Sequence, residues 1–316
     1  MIEVLGSAAD EGAGAYREAL GALMTPETAV RLCHPLGDAI GAEGLFEIGM
    51  APLFAAFPDL ERRDLIRLRG HDANGSEWIG VCGYWAGRFT APYLGIPPTG
   101  RIAAMRYHDF FRIEEKRIVE MQAIWDIPEL VMQAGFWPMG PSTGRDWQVP
   151  GPQTQDGLRV AGDGAAALGV VREMLEHLGK STESVEAMRL PAFWHPHCSW
   201  YGPAGIGTAR GIDGFRAHHQ VPFLNALPDR NGDPANGHLF AEGDYVGFTG
   251  WPGMRMTVTG DGWLGIAPAG QKITMRSLDF WRVDAGMIRE NWVLIDLLDV
   301  WAQLGVDVLG RMREIL

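Results

Sequence analysis

Four aspartates stand on apolar, strand-like stretches of the chain: Asp109, Asp126, Asp279 and Asp296. Alternation over 287–296 puts Ile288, Glu290, Trp292, Leu294 and Asp296 on one face. If that face lines a cavity, a carboxyl enters apolar surroundings. Its pKa then rises and it becomes a candidate acid or base. Asp296 and Asp279 are the two candidates for that proton, and the sequence does not choose between them. Each has a structural alternative. An aspartate between a strand and a helical tail is a natural N-cap, and Asp126 before Ile127-Pro128-Glu129 suits one well. Asp109 and Asp279 each precede an arginine by three residues, which fits a structural Asp–Arg contact.

Histidines and aromatics gather in the second half. His195-Pro196-His197-Cys198-Ser199-Trp200-Tyr201 reads as a binding segment, with His218-His219 and His238 further on. His197, His238 and Tyr201 are candidates to orient or polarise an oxygen. Trp200, Tyr201, His218, Trp263, Arg276 and Trp292 are candidates to contact a ligand. Arg276 reads equally well as a surface residue. His195 and His197 with His218 have usable metal spacing, but no H-E-x-x-H accompanies them, so no metal is expected. Cys198 lacks any neighbour that would lower its pKa. Dinucleotide, phosphate-loop and hydrolase-elbow motifs are absent, so no cofactor is expected.

Something must position these residues, and length sets the first bound. At 316 residues the prior is about two domains. A composition 47% apolar and 21% charged excludes disorder. The formal charge of −12 and the lack of a basic run argue against nucleic acid and anionic membranes as partners. Three scattered cysteines exclude a disulfide framework. No apolar run is long enough to cross a membrane, and the N-terminus does not read as a signal peptide. A cytoplasmic protein is the expectation.

Shifting the sequence by 170 residues exposes a repeat. Gly95–Gly100 falls on Gly265–Gly270, and Met105-Arg106-Tyr107-His108-Asp109-Phe110-Phe111-Arg112 falls on Met275-Arg276-Ser277-Leu278-Asp279-Phe280-Trp281-Arg282. Asp126, Gln133 and Gly135 fall on Asp296, Gln303 and Gly305. Fourteen of 41 positions match without a gap, which is far above chance and shows a duplicated domain. The copies are expected at 1–138 and 161–316, joined by a Pro/Gly-rich linker at 139–160. Aligning His34-Pro35 with His195-Pro196 gives the second copy nine extra residues before Gly211, which points to the second copy as the site.

Each copy reads helices first and strands after. Helical spacing covers 11–33 and 43–56, then 165–178, 182–193 and 212–226. Strand patterns cover 62–70, 76–90, 102–113 and 117–126, then 236–251, 253–263, 272–283 and 287–296. Helical tails follow at 127–135 and 297–314. Helices before a meander predict an α+β fold, with helices on one face of an antiparallel sheet.

The strings G-I-P-P-T-G-R and D-F-F-R-I, a charged turn, I-V-E and a terminal Asp resemble the SnoaL-like polyketide cyclases. These belong to the cystatin-like, nuclear-transport-factor-2-like superfamily. The resemblance covers most of both copies. It implies two tandem cone-shaped α+β barrel domains, each with an interior pocket. It further implies cofactor-free acid–base chemistry, such as aldol ring closure, isomerisation or dehydration, on an apolar carbonyl compound. It places Asp296 or Asp279 as the proton carrier. Relatives that pair through their sheets imply an intramolecular pseudo-dimer, and a homo-oligomer remains open. A non-catalytic binder of a hydrophobic molecule is the alternative. A carboxyl buried beside a hydroxyl or imidazole favours catalysis, and one spent as a helix cap favours binding.

Overall fold

The computed structural model describes residues 2–179, 186–260, 263–267 and 270–316. Part of the helix predicted at 182–193, the end of the strand predicted at 253–263, and Pro268 and Ala269 of the repeated string lie outside the described residues.

The first copy runs α1 (Ile2–Glu11), α2 (Ala13–Leu23), β1 (Met24–Leu32) and β2 (Asp38–Ile40). A helix of three joined pieces follows: α3 (Gly41–Leu45), a π-turn (Phe46–Met50) and α4 (Ala51–Ala56). The meander is β3 (Glu61–His71), β4 (Glu77–Arg88), β5 (Ile102–Glu114) and β6 (Arg117–Trp125), closed by α5 (Ile127–Ala134). The second copy has α6 (Ala165–Leu178), α7 (Leu190–Phe193), β7 (Trp194–Tyr201), β8 (Thr208–Arg210) and α8 (Gly211–Phe215). A second π-turn (Arg216–Gln220) leads to α9 (Val221–Ala226), β9 (Asn231–Gly232), β10 (Gly237–Glu242) and β11 (Tyr245–Thr257). It ends with β12 (Lys272–Asp284), β13 (Met287–Ile295), α10 (Leu297–Gln303) and α11 (Val308–Glu314). Each copy is a curved, mostly antiparallel sheet carrying helices, as the order of elements predicts.

Three sequence readings change. The helix predicted at 11–33 stops at Leu23, because Pro26 and the branched Thr25, Thr28 and Val30 favour extended backbone. Residues 24–32 form β1, parallel to β6, and β7 pairs with β13 in the same way. The strands predicted at 236–251 and 253–263 form instead the hairpin β10–β11, which turns at Gly243-Asp244.

The third correction removes the extra loop. Leu32 lies beside Ala123, and Tyr201 beside Trp292. The 170-residue shift therefore carries β1 onto β7 and His34 onto Ala204. Gly41 and Gly211 confirm this register. Both open the next helix at φ near +70°, where a Cβ would lie 2.8 Å from the Pro26 oxygen and 3.0 Å from the Pro196 oxygen. Two histidine–proline pairs that are not equivalent produced the apparent insertion.

The two sheets pack face to face through alternate residues. Phe110 lies 5.0 Å from Phe280 and 5.8 Å from Phe240 between ring centroids. His108 Nδ1 lies 2.8 Å from the Leu278 oxygen. A pseudo-twofold pair closes the junction: His34 N donates to Asp296 at 3.0 Å, and Ala204 N donates to Asp126 at 2.9 Å. The segment between the copies also crosses this face. Trp292 donates to the Pro150 oxygen at 2.9 Å, and Gln153 N donates to Glu290.

At the sheet edge, His238 Nδ1 meets Asp72 at 2.7 Å, and Trp78 donates to the same carboxylate at 3.2 Å. Burial works to raise the Asp72 pKa, but the bonds from His238, Ser76, Asn74 and Trp78 lower it overall. Its stabilisation is therefore present above the unfolded value, near 3.9, and fades as pH falls through the lower folded one. Asp72→Ala is expected to cost about 1–3 kcal/mol at pH 7, read by urea unfolding, and markedly less at pH 3.

Candidate active site

Alternation assigns the opposite side of each sheet to the helices. In the first copy that side is closed. Tyr16 from α2 packs on Phe54 and Trp85, at 5.6 and 6.0 Å between centroids. Beneath them Arg62 donates to Asp109 at 2.9 Å and to Asp64 at 3.0 Å. The Trp125 indole donates to Asp109 at 3.2 Å, and the Tyr107 hydroxyl donates to Asp64. Burial raises the Asp109 pKa while Arg62 and Trp125 oppose it. In this buried polar cluster each acid meets the Arg62 cation, and Asp109 has 0% exposure.

The second copy keeps the aspartate and discards its partners. The shift carries Arg62 onto Gly232, Tyr107 onto Ser277 and Trp125 onto Ile295. Asp279 is left with the polar side chains of Asn291 and Ser277 nearby and no cation. Burial pushes its pKa up to about 7, against the effect of those two groups. It retains 9% exposure, against 0% for Asp109.

An aromatic cluster lies on the same side of this sheet. Trp200 lies beside Asn291 in the strand register and stacks on His219 at 4.1 Å. Phe215 and Phe223 flank the imidazole at 5.5 and 5.3 Å, and Phe223 meets Trp263 at 5.4 Å. The first copy leaves little room for a side chain where His219 sits. A Cβ on the equivalent Gly49 would lie 3.1 Å from Trp125. Exchanging glycine plus tryptophan for histidine plus isoleucine thus moves an imidazole inside. Burial pushes His219 down to about 3, so its ring is neutral at physiological pH. The buried Gln220 Oε1, His219 Nδ1, Trp194 Nε1 and Trp281 Nε1 all lack partners. Unpaired buried groups of this kind are costly and suit a polar ligand.

The sequence candidates separate accordingly. Asp279, Trp200 and Trp263 lie on the helix side of the second sheet. Tyr201 and Trp292 lie on the other side, 5.3 Å apart, with the Tyr201 hydroxyl bonded to Glu290 at 3.2 Å. His238 belongs to the junction with Asp72. His197 and His218 are exposed. Arg276 lies 4.8 Å over the Trp251 ring and donates to Asp296 at 3.1 Å. Asp296 also accepts from Asp299 N at 3.2 Å, capping α10, and burial with the Asp299 charge pushes it up to about 7. Asp296→Ala is expected to cost about 0.5–2 kcal/mol for the cap alone, measurable by urea unfolding.

Sequence reasoning chose His218 over His219. Phe215, His219 and Phe223 recur every four residues, and that helical spacing is the signal that selects His219. Ser277 and Asn291 carried no distinguishing pattern. Among the described residues no group of histidines, cysteines and acids is arranged to hold a metal. No described helix is long and apolar enough to cross a membrane.

Comparison with known proteins agrees with this architecture. The sequence profile of the SnoaL-like polyketide cyclases matches residues 13–134 and 171–304. IdmH of Streptomyces antibioticus is 25% identical over 42% of this chain and 95% of its own, with a TM-score of 0.36. TsrD of Streptomyces laurentii is 24% identical over 42% of this chain and 91% of its own, with a TM-score of 0.35. No curated protein sequence matches the chain.

Proposed function

Because the chain belongs to the SnoaL-like polyketide cyclase family, with both copies matched, we propose that the second copy moves a proton beside a carbonyl group of an apolar small molecule. Asp279 is the proton carrier. The observation behind this reading is a buried carboxyl without a counter-ion, beside Ser277 and Asn291 and shifted to about 7. An acid or base works best when its pKa lies near the working pH. Such a group takes a proton from carbon and returns it without a large penalty in either direction.

The neighbours divide the remaining work. The Ser277 hydroxyl and the Asn291 amide favour the ionised carboxyl and so keep its pKa from rising further. Trp200, Phe223 and Trp263 form apolar walls, and the partnerless indole N–H groups of Trp194 and Trp281 can donate to a substrate oxygen. Ring closure, isomerisation and dehydration all begin with this proton transfer. The chemistry calls for a positioned base and an oxygen-stabilising donor. The first copy serves as the structural partner, since its equivalent carboxyl is tied to Arg62.

Solvent deuterium exchange tests the reading. The protein in D2O with simple cyclic 1,3-diketones and aryl ketones should speed exchange of the carbon-bound protons next to the carbonyl, as read by NMR. The gain should vanish in Asp279→Asn. Exchange no faster than in buffer for every ketone, or unchanged in the variant, would remove the proposal.

A further inference from the structure

Arg230 is a second unpaired charge in the same copy. It follows α9 and falls on Leu60 of the first copy under the 170-residue shift. The two positions sit in matching turns: Leu60 N donates to the Phe57 oxygen, and Arg230 N to the Leu227 oxygen. Leu60 is 3% exposed and belongs to the interior. Arg230 therefore places a guanidinium where the first copy places a core leucine. Its carbon lies 5.8 Å from the ring of Phe223, which itself contacts His219 and Trp263.

Only one end of that guanidinium is satisfied within the chain. Nη1 donates to the Leu227 oxygen at 3.3 Å, while the buried Nη2 has no partner. Among the described residues, the acids flanking it in sequence are engaged elsewhere. Asp229 accepts from Thr257 N and Oγ1 at 2.7 and 2.6 Å, and Asp233 accepts from Arg255 at 3.2 Å and from Asn236 at 3.1 Å. Burial alone lowers the Arg230 pKa, and no acidic group among the described residues opposes it. A half-buried cation without an anion is unfavourable unless something supplies the anion.

We propose that Arg230 is the anchor for a carboxylate on the ligand, so that the second copy takes an apolar organic acid rather than a neutral ester. This rests on the reading of the second copy as the ligand site. Guanidinium geometry matches a carboxylate through two parallel N–H groups, and the free Nη2 can join such a pair. Arg230 and Asp279 do not neutralise each other, since neither charge perturbs the other. A molecule anchored at Arg230 would lay its apolar body against Phe223, whose ring lies 5.8 Å from the guanidinium carbon.

The test uses 2-naphthoate and methyl 2-naphthoate as probes, followed by tryptophan fluorescence of the full chain at pH 7. The acid should bind roughly 10- to 100-fold tighter than the ester, the range for a charge-assisted bond. Arg230→Leu should remove the preference and leave ester binding intact. Leucine already occupies this place in the first copy, and a thermal melt checks that the variant folds. Equal affinity for the two probes in the parent, or a preference that survives in Arg230→Leu, overturns the assignment. If neither probe binds, both the assignment and the placement of the site fall. A preference for the acid without deuterium exchange leaves Arg230 standing and sinks the acid–base reading alone.

Discussion

Asp279→Asn is expected to lower turnover by about 10²- to 10⁴-fold and, at alkaline pH, to make the protein more stable. The two effects share one cause. An unfolded chain holds this carboxyl near pKa 3.9, whereas the folded protein holds it at about 7. Between these values the folded state keeps a proton that the unfolded state has lost. Stability from the neutral carboxyl is thus complete below pH 4 and declines as pH rises through 7. Three pKa units correspond to about 4 kcal/mol. Asparagine carries no charge and keeps polar atoms toward Ser277 and Asn291, so its stability should lack that decline. Urea titrations at pH 4, 6 and 8 should show the variant close to the parent at pH 4 and ahead by up to about 4 kcal/mol at pH 8. Other raised acids, such as Asp296 and Glu129, occur in both proteins and cancel in the difference. A variant less stable than the parent at pH 8 would mean that Asp279 is comfortably ionised, and its case as proton carrier would collapse.

Much of the architecture was readable because it depends on period and repetition. Alternating residues over 102–113 and 272–283 mark strands wherever they sit, and a gapless match shows that one fold was used twice. β1 and β7 were harder. They pair in parallel with distant strands, so the partner that makes them strands is not local in sequence. The site was only partly readable for a related reason. Alternation sorts residues into two faces but does not say which face meets helices. Here the face holding Trp292 and Glu290 met the other sheet and the linker, while that of Asn291 met the helices.

The character of Asp279 was even less visible, since it arises from removals. Asp109 and Asp279 occupy the same repeated motif. What separates them is glycine for Arg62 and isoleucine for Trp125, at positions far from either aspartate in sequence. Placing the copies side by side in the fold converts these substitutions into chemistry: one carboxylate neutralised by a cation, the other stranded. Arg230 extends the pattern. The second copy loses an internal arginine that had two acidic partners and gains one bonded only to a backbone oxygen.

Arg62→Met should therefore be the most damaging single change in the first copy, at about 3–5 kcal/mol. Its side chain is 1% exposed and lies between Asp109, 0% exposed, and Asp64. The guanidinium also rests 4.4 Å from the Tyr107 ring and 5.1 Å from that of Trp85. Methionine fills similar volume but leaves Asp109 without its cation, and only the Trp125 bond then opposes burial there. Removing both charges is a different matter, because an apolar pair of similar volume is often as good as a buried ion pair. Arg62→Met with Asp109→Leu should recover most of the loss. Asp64 would retain Arg67 at 3.3 Å and the Tyr107 hydroxyl. A double-mutant cycle from urea unfolding isolates the coupling, which should exceed 2 kcal/mol for contacting residues. The single variant should gain no deuterium exchange, since an isolated Asp109 remains sealed by Tyr16, Trp85 and Trp125. A loss below 1 kcal/mol in the single variant would show that this ion pair does not hold the first copy closed. The contrast drawn between the paired and the stranded aspartate would then lose its energetic basis.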